Sequence, residues 1–146
     1  MAATYRLSAT RRLLNRLLRA LLRLGLGPPR TWLLTVRGRT SGRAYSTPVE
    51  LVEDAGRRWL VAPYGDVAWV KNARAAGRVT LARGGRVEHV AIAEAGPEES
   101  APVLRRYVTE VPITRPYFDA GPASDLAAFR AEAHRHPVFR VVGSAP

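Results

Sequence analysis

The sequence contains no cysteine, which removes disulfides, thiolate metal sites and a cysteine nucleophile from consideration. That composition fits a reducing compartment, so a cytoplasmic protein is expected. Lysine is nearly absent too: Lys71 is the only one among 23 basic residues. The signatures GxGxxG, Walker A, GxSxG and HExxH are all missing, so the common dinucleotide, P-loop, serine-hydrolase and zinc-protease sites are not expected. Acidic residues are missing from the first thirty positions, which carry seven arginines. The remainder has 16 basic against 12 acidic residues, so the formal charge of +11 is concentrated in an N-terminal arm.

Long apolar runs are also missing. Residues 8–24 read Ser-Ala-Thr-Arg-Arg-Leu-Leu-Asn-Arg-Leu-Leu-Arg-Ala-Leu-Leu-Arg-Leu, and arginine at every third or fourth position precludes a bilayer span. The same spacing makes an amphipathic helix. At 100° per residue, Arg12, Arg16, Arg19 and Arg23 fall within about 60° of one another, with Leu13, Leu14, Leu17, Leu21 and Leu24 in the opposite half. Ser8 is the expected N-cap, and Gly25, Gly27, Pro28 and Pro29 end the helix. Its leucine face can pack on the body of the protein, or it can lie at an anionic membrane surface at the inner face of the cell membrane. Basic residues interleaved with aromatics are not found here, so no nucleic-acid partner is expected.

What the chain does contain is a regular run of short strands. Thr31–Arg37, Ala44–Glu53, Arg57–Pro63, Arg78–Arg83, Arg86–Ala95 and Pro137–Val142 read as extended, separated by Asp54-Ala-Gly56, Gly84-Gly85 and other turn residues. Pro48 marks an edge or a bulge in the second strand. Three helices are expected at Val67–Ala76, capped by Asp66, at Pro97–Thr109, and at Ser124–His134; residues 112–122 read as a proline-rich loop. This order indicates an α+β fold with an antiparallel sheet closing into a small barrel over residues 31–146, and an arm over residues 1–30.

The chemistry centres on residues 34–48, Leu-Thr-Val-Arg-Gly-Arg-Thr-Ser-Gly-Arg-Ala-Tyr-Ser-Thr-Pro. Glycines let a turn present successive N–H groups, and flanking guanidinium forks add charge, so Arg39, Ser41, Gly42 and Arg43 suit the phosphate of a cofactor. An ordinary exposed hairpin loop has the same composition. His134 and His136 are two apart and are expected at a polar helix end, and His89 alternates with Val87 and Ala91 in a strand; no metal site is expected. With no evident nucleophile or general base, a cofactor enzyme fits best, with the protein supplying position and electrostatics.

The Gly38–Arg43 loop followed by Pro48 resembles the hallmark of the deazaflavin-dependent nitroreductase family. Val61-Ala-Pro-Tyr-Gly-Asp-Val-Ala-Trp-Val-Lys-Asn-Ala-Arg-Ala-Ala-Gly-Arg78 resembles its second signature. The resemblance implies a split β-barrel that binds coenzyme F420, whose reduced form delivers a hydride to quinones, nitroaromatics or similar electron-poor acceptors. It places Arg39, Thr40 and Ser41 on the phosphate and the start of the lactyl-glutamate tail. Tyr45, Ser46, Thr47 and Pro48, with Ala62, Pro63 and Tyr64, run along the cofactor. Ala68, Trp69, Val70, Lys71 and Asn72 line its polar end, Trp69 also packing its helix onto the barrel. Tyr117 takes the place of a substrate-side tyrosine that donates a proton or hydrogen bond. Family members often carry lysine where this chain has Thr40 and arginine where it has Tyr45, and two further tyrosine positions are Val111 and Thr114. The other readings are an FMN-binding split-barrel reductase, and a non-catalytic barrel that holds a lipid or other apolar ligand at a membrane. Split barrels commonly dimerise, so a homodimer is also expected.

Overall fold

The computed structural model describes residues 9–24 and 30–144. In chain order the elements are α1 (Ala9–Arg23), β1 (Thr31–Arg37), β2 (Ala44–Asp54), β3 (Arg57–Val61), α2 (Ala68–Ala76), β4 (Arg78–Arg83), β5 (Arg86–Glu94), α3 (Pro97–Glu110), α4 (Leu126–Glu132) and β6 (Val138–Ser144). Short 3-10 turns at Pro112–Tyr117 and Ala133–Arg135 flank α4. The six strands form a closed barrel in the order β1-β2-β3-β6-β5-β4, every pair antiparallel. Ser8 and the stretch Gly25–Pro29, expected to bound the first helix, lie outside the described residues.

Alternation along the strands builds the barrel interior. Trp32, Leu34 and Val36 of β1, Val79 and Leu81 of β4, and Val90 of β5 face inward with Phe139 of β6, and α2 plugs the space with Val70 and Ala73. A second core lies outside the wall. Val52, Trp59, Val61 and Val138 meet Leu104, Tyr107 and Val108 of α3 and Phe129 of α4. The last three residues of β3 and the first two of β6 are therefore buried on both faces, which is why Trp59-Leu60-Val61 reads as a continuous apolar run rather than an alternating one. Glu99 ties α3 to both strands, accepting from Trp59 Nε1 at 3.0 Å and Arg140 Nη1 at 2.6 Å.

Strand β2 changes partner halfway. Ala44 to Glu50 pair with β1, and Leu51 to Asp54 pair with β3. Pro48 sits in the half joined to β1, where among the described residues the other side of the strand makes no ladder, so its missing N–H costs nothing. The turn into β3 takes Ala55 and Gly56 at φ 51° and 80°, both left-handed, as a two-residue hairpin of this type requires.

Two expectations change. Asp66 does not cap α2: Val67 occupies the cap position without a side-chain bond, and Asp66 reaches forward to Arg74 at 3.0 Å. The last helix begins later, with Asp125 as its cap, accepting from the Ala128 N–H at 3.0 Å.

Helix α1 docks by the seam between its two faces. Leu22 is fully buried, its carbonyl accepts the Gly84 N–H at 2.9 Å, and Arg19 donates to the Ser46 carbonyl at 3.3 Å. Leu13, Leu14, Leu17 and Leu24 stay 57–73% exposed, so most of the leucine stripe is not used to pack the helix on the barrel. No described helix is long and apolar enough to cross a membrane.

Candidate functional site

The loop between β1 and β2 is closed by its own backbone. The Gly38 N–H donates to the Arg43 carbonyl at 2.7 Å, and the Gly42 N–H donates to the Gly38 carbonyl at 3.0 Å. Gly42 sits at φ 70°, where side chains are strained. Gly38 is needed for space, because a Cβ there would lie 2.6 Å from Tyr45 Cε2 and 2.7 Å from Ser41 Oγ. Ser41 Oγ accepts from the Arg43 N–H at 3.2 Å and shares a hydrogen bond with the Tyr45 hydroxyl at 3.1 Å. Arg37 braces the turn by donating to the Gly42 carbonyl at 2.8 Å.

Asn72 joins this loop to α2. It is only 4% exposed, and its Oδ1 accepts both the Arg39 backbone N–H at 3.0 Å and Arg39 Nη1 at 2.8 Å. The two sequence segments that carry the resemblance thus meet at one buried carbonyl oxygen. Such an acceptor fixes the start of the loop and the direction of the guanidinium without neutralising its charge.

Beside this junction is an open cleft of about 630 Å³. Its floor is a row of polar groups on the outer wall, Thr35, Thr80 and His89, which are cross-strand neighbours on β1, β4 and β5. Thr80 Oγ1 and His89 Nδ1 are 2.9 Å apart, and Thr35 Oγ1 is 2.7 Å from Ser46 Oγ. Arg37, Arg39 and Arg78 also line it. Arg58, Arg74, Arg106, Arg135 and Arg140 all have carboxylate partners, but among the described residues no carboxylate pairs with Arg37, Arg39, Arg43 or Arg78. Arg37 and Arg39 each give one guanidinium bond to a neutral acceptor, the Gly42 carbonyl and Asn72, so the region keeps a positive charge that suits an external anion.

The remaining expected site residues form a second group. Tyr64 follows β3 and meets Tyr117 edge-on, ring centroids 4.8 Å apart at 76°. Both rings are half-buried, and neither lines the cleft. Trp69 packs on Phe139 at 5.9 Å, holding α2 to the barrel. Thr40, Ala68 and Lys71 are exposed, and Thr47, Pro48 and Pro63 are partly so. Ala62 and Val70 are 1% and 0% exposed, so their side chains belong to the core and not to a ligand-lined surface.

His136, expected at a polar helix end, is instead buried at 2% exposure, stacked on Phe118 at 3.8 Å and paired with Glu132. The i,i+4 spacing of Glu132 and His136 was the only sequence signal for this pair. The cleft residue Thr80 carried none and Arg78 only closed the second signature segment, since a strand's outer face becomes a floor only once its neighbours are known. Among the described residues no cluster of three or more histidines and carboxylates is placed to hold a metal.

Residues 19–119 match the model of the F420H(2)-dependent quinone reductase family. No curated protein matches the chain significantly. Among solved structures, Atu2129 of unknown function from Agrobacterium tumefaciens str. C58 superposes with TM-score 0.59 at 19% identity, over 89% of this chain and 55% of its own. The chain thus spans about half of that protein's length. An F420-H2 dependent reductase, FDR-A, superposes with TM-score 0.55 at 24% identity, over 77% and 94%. A domain-swapped dimer superposes with TM-score 0.57 at 23% identity, over 92% and 99%. At these identities the structural matches establish the fold, a split barrel of the FMN-binding type. The family match covers more than half of the sequence, and the chain accordingly belongs to the F420H(2)-dependent quinone reductases, a family of oxidoreductase enzymes.

Proposed function

We propose that this protein uses reduced F420 to transfer a hydride to a hydrophobic, electron-poor acceptor of the quinone or nitroaromatic type. The observation that carries the reading is the buried Asn72 carbonyl oxygen holding Arg39 at the edge of an arginine-lined cleft without a carboxylate. In this reading the Arg39 and Arg43 guanidiniums and the Ser41 hydroxyl meet the phosphate, Gly42 keeps the turn tight and Thr40 is exposed beside them; the N–H groups of Arg39, Gly42 and Arg43 are already bonded within the protein. The guanidiniums of Arg37 and Arg78 suit the anionic tail that follows it. These arginines supply the positive charge that Thr40 and Tyr45 do not.

When bound, the deazaflavin supplies a two-electron hydride donor. The chain's residues orient it and exclude water. Tyr64 and Tyr117 form an aromatic wall, and the Tyr117 hydroxyl donates a hydrogen bond or proton to the acceptor oxygen that gains negative charge. The test is F420H2 oxidation by a soluble quinone. Tyr117→Phe is expected to lower kcat at least tenfold with the F420 Kd within twofold. Wild-type turnover with reduced FMN in place of F420H2 would favour the FMN reading, and absence of binding to either cofactor would favour a lipid carrier.

A peripheral membrane role is supported by the exposed Leu13, Leu14, Leu17 and Leu24 beside exposed Arg12 and Arg16. Full-length protein is expected to co-sediment with anionic vesicles in a salt-sensitive way. Equal sedimentation of a chain lacking residues 1–27 would refute that role. Such an arrangement would keep the enzyme at the cytoplasmic face, near lipid-soluble acceptors. A homodimer is supported by the domain-swapped relative, and sedimentation equilibrium decides it.

A further inference from the structure

Two loops approach each other where Tyr64 meets Tyr117, and both are fastened to one buried pair, Glu132 and His136. Pro63 immediately precedes Tyr64, and its carbonyl lies 2.8 Å from His136 Nδ1. A carbonyl only accepts, so Nδ1 carries a proton. The other ring nitrogen, Nε2, lies 2.8 Å from Glu132 Oε1. One proton must lie between them, because two facing lone pairs at that distance repel. The pair therefore holds that proton in common, as imidazolium and carboxylate or as imidazole and carboxylic acid.

Glu132 serves the opposite loop. Its carboxylate accepts the Asp119 N–H at 3.1 Å and the Ala120 N–H at 2.8 Å, two and three residues beyond Tyr117. Phe118 stacks on the His136 ring at 20° between planes. Arg135 is the other cation near the pair, 3.7 Å from Glu132 Oε1 and ion-paired with Asp119 at 2.6 Å. Burial is the largest influence on His136 and pulls its pKa below the usual value, while Pro63 and Glu132 favour the protonated ring.

We propose that Glu132 and His136 act together as a proton-sharing clamp whose role is to position Tyr64 and Tyr117 for the reaction. Both are positioning residues: each acts through the loop that it holds and neither touches the acceptor. The role in turnover rests on the function proposed above, whereas the clamp itself does not.

Three variants of the full-length chain test this. In Glu132→Gln the amide donates to a neutral Nε2 while its oxygen still accepts from Ala120, so the geometry survives without charge. Glu132→Ala removes the acceptor, and His136→Phe keeps the stack on Phe118 but loses both polar links. Without cofactor, native-state hydrogen exchange at the Asp119 and Ala120 amides is expected within about threefold of wild type for Glu132→Gln. For Glu132→Ala it should be at least thirtyfold faster. The wild-type ring 15N spectrum, which needs no variant, is expected to show Nδ1 protonated and Nε2 in a strong hydrogen bond. In turnover, Glu132→Ala and His136→Phe should lower kcat at least tenfold, Glu132→Gln less than threefold, with the F420 Kd unchanged in all three. An unprotonated Nδ1, wild-type exchange in Glu132→Ala, or equal kcat loss in the Gln and Ala variants would each overturn the clamp as stated. Absence of wild-type turnover would overturn the proposed function and leave the exchange and 15N results to judge the clamp.

Discussion

Replacing Asn72 with alanine separates a loop that is held from one that is only covalently connected. The side chain is 4% exposed, and its Oδ1 accepts two hydrogen bonds from Arg39, one from a neutral N–H and one from a guanidinium. Removing the acceptor costs about 1 kcal/mol for the first and about 1.5–3 kcal/mol for the second. Part of that sum is recovered when water reaches the exposed guanidinium, so a net loss of about 2 kcal/mol is expected. If the loop must be ordered again when cofactor binds, the same free energy raises the F420 Kd by roughly thirtyfold. Asn72→Asp sharpens the argument. A carboxylate holds Arg39 at least as well but neutralises its charge, so stability is retained while F420 affinity still falls. Fluorescence quenching of F420 by each variant, read beside urea denaturation, decides the matter. Wild-type affinity in Asn72→Ala would refute the claim that Asn72 organises the phosphate loop, and wild-type affinity in Asn72→Asp would refute the role of the Arg39 charge.

Gly38→Ala should displace Tyr45 and Ser41 and break their hydrogen bond. The expected result is a roughly tenfold weaker F420 affinity with stability lowered by only about 1 kcal/mol, read by the same titration and by denaturation. Ala55→Asn should stabilise the protein by about 0.5–1 kcal/mol in urea denaturation, since Ala55 is held at φ 51° and asparagine tolerates that conformation. Acid should destabilise the fold through Glu88 and Glu99. The bidentate Arg58 holds Glu88 below the ordinary value of 4.5. At Glu99 burial pushes the pKa up, but Trp59 and Arg140 outweigh it and leave the group lowered. Both folded values lie below the unfolded ones, so the stabilisation is complete above about pH 4.5 and is lost as pH falls through the folded values. Denaturation midpoints measured from neutral pH down to pH 3 should fall below pH 4.5, and less steeply in Glu99→Gln.

The strands were legible because their ends are written in local chemistry. Gly84-Gly85, Ala55-Gly56 and the Gly38–Arg43 loop each force a turn, so β1 and β4 run over the stretches expected from the sequence. The contact between the two signature segments was not legible, since only the closed barrel brings Asn72 under Arg39. Helix α1 shows the limit of a helical wheel. The wheel separates arginines from leucines, but the barrel selects the seam marked by Leu22 and Arg19, because Arg19 can reach the unpaired Ser46 carbonyl of β2. Asp66 illustrates competition between local and tertiary partners, its carboxylate pairing with Arg74 rather than with an N–H of α2. His136 was misplaced for a similar reason: a histidine beside proline at a helix end reads as exposed until the Pro63 carbonyl and Glu132 are seen to enclose it.

In the proposed reading the loop from Gly38 to Arg43 holds the phosphate of F420. Its most direct test is a parallel titration of the wild-type protein and Arg39→Ala with F420 and with FMN, followed by cofactor fluorescence. Saturable quenching of F420 by the wild type is expected, with little or none of FMN, and Arg39→Ala should raise the F420 Kd at least tenfold. Equal F420 affinity in the two proteins, or binding of FMN in preference to F420, would contradict it.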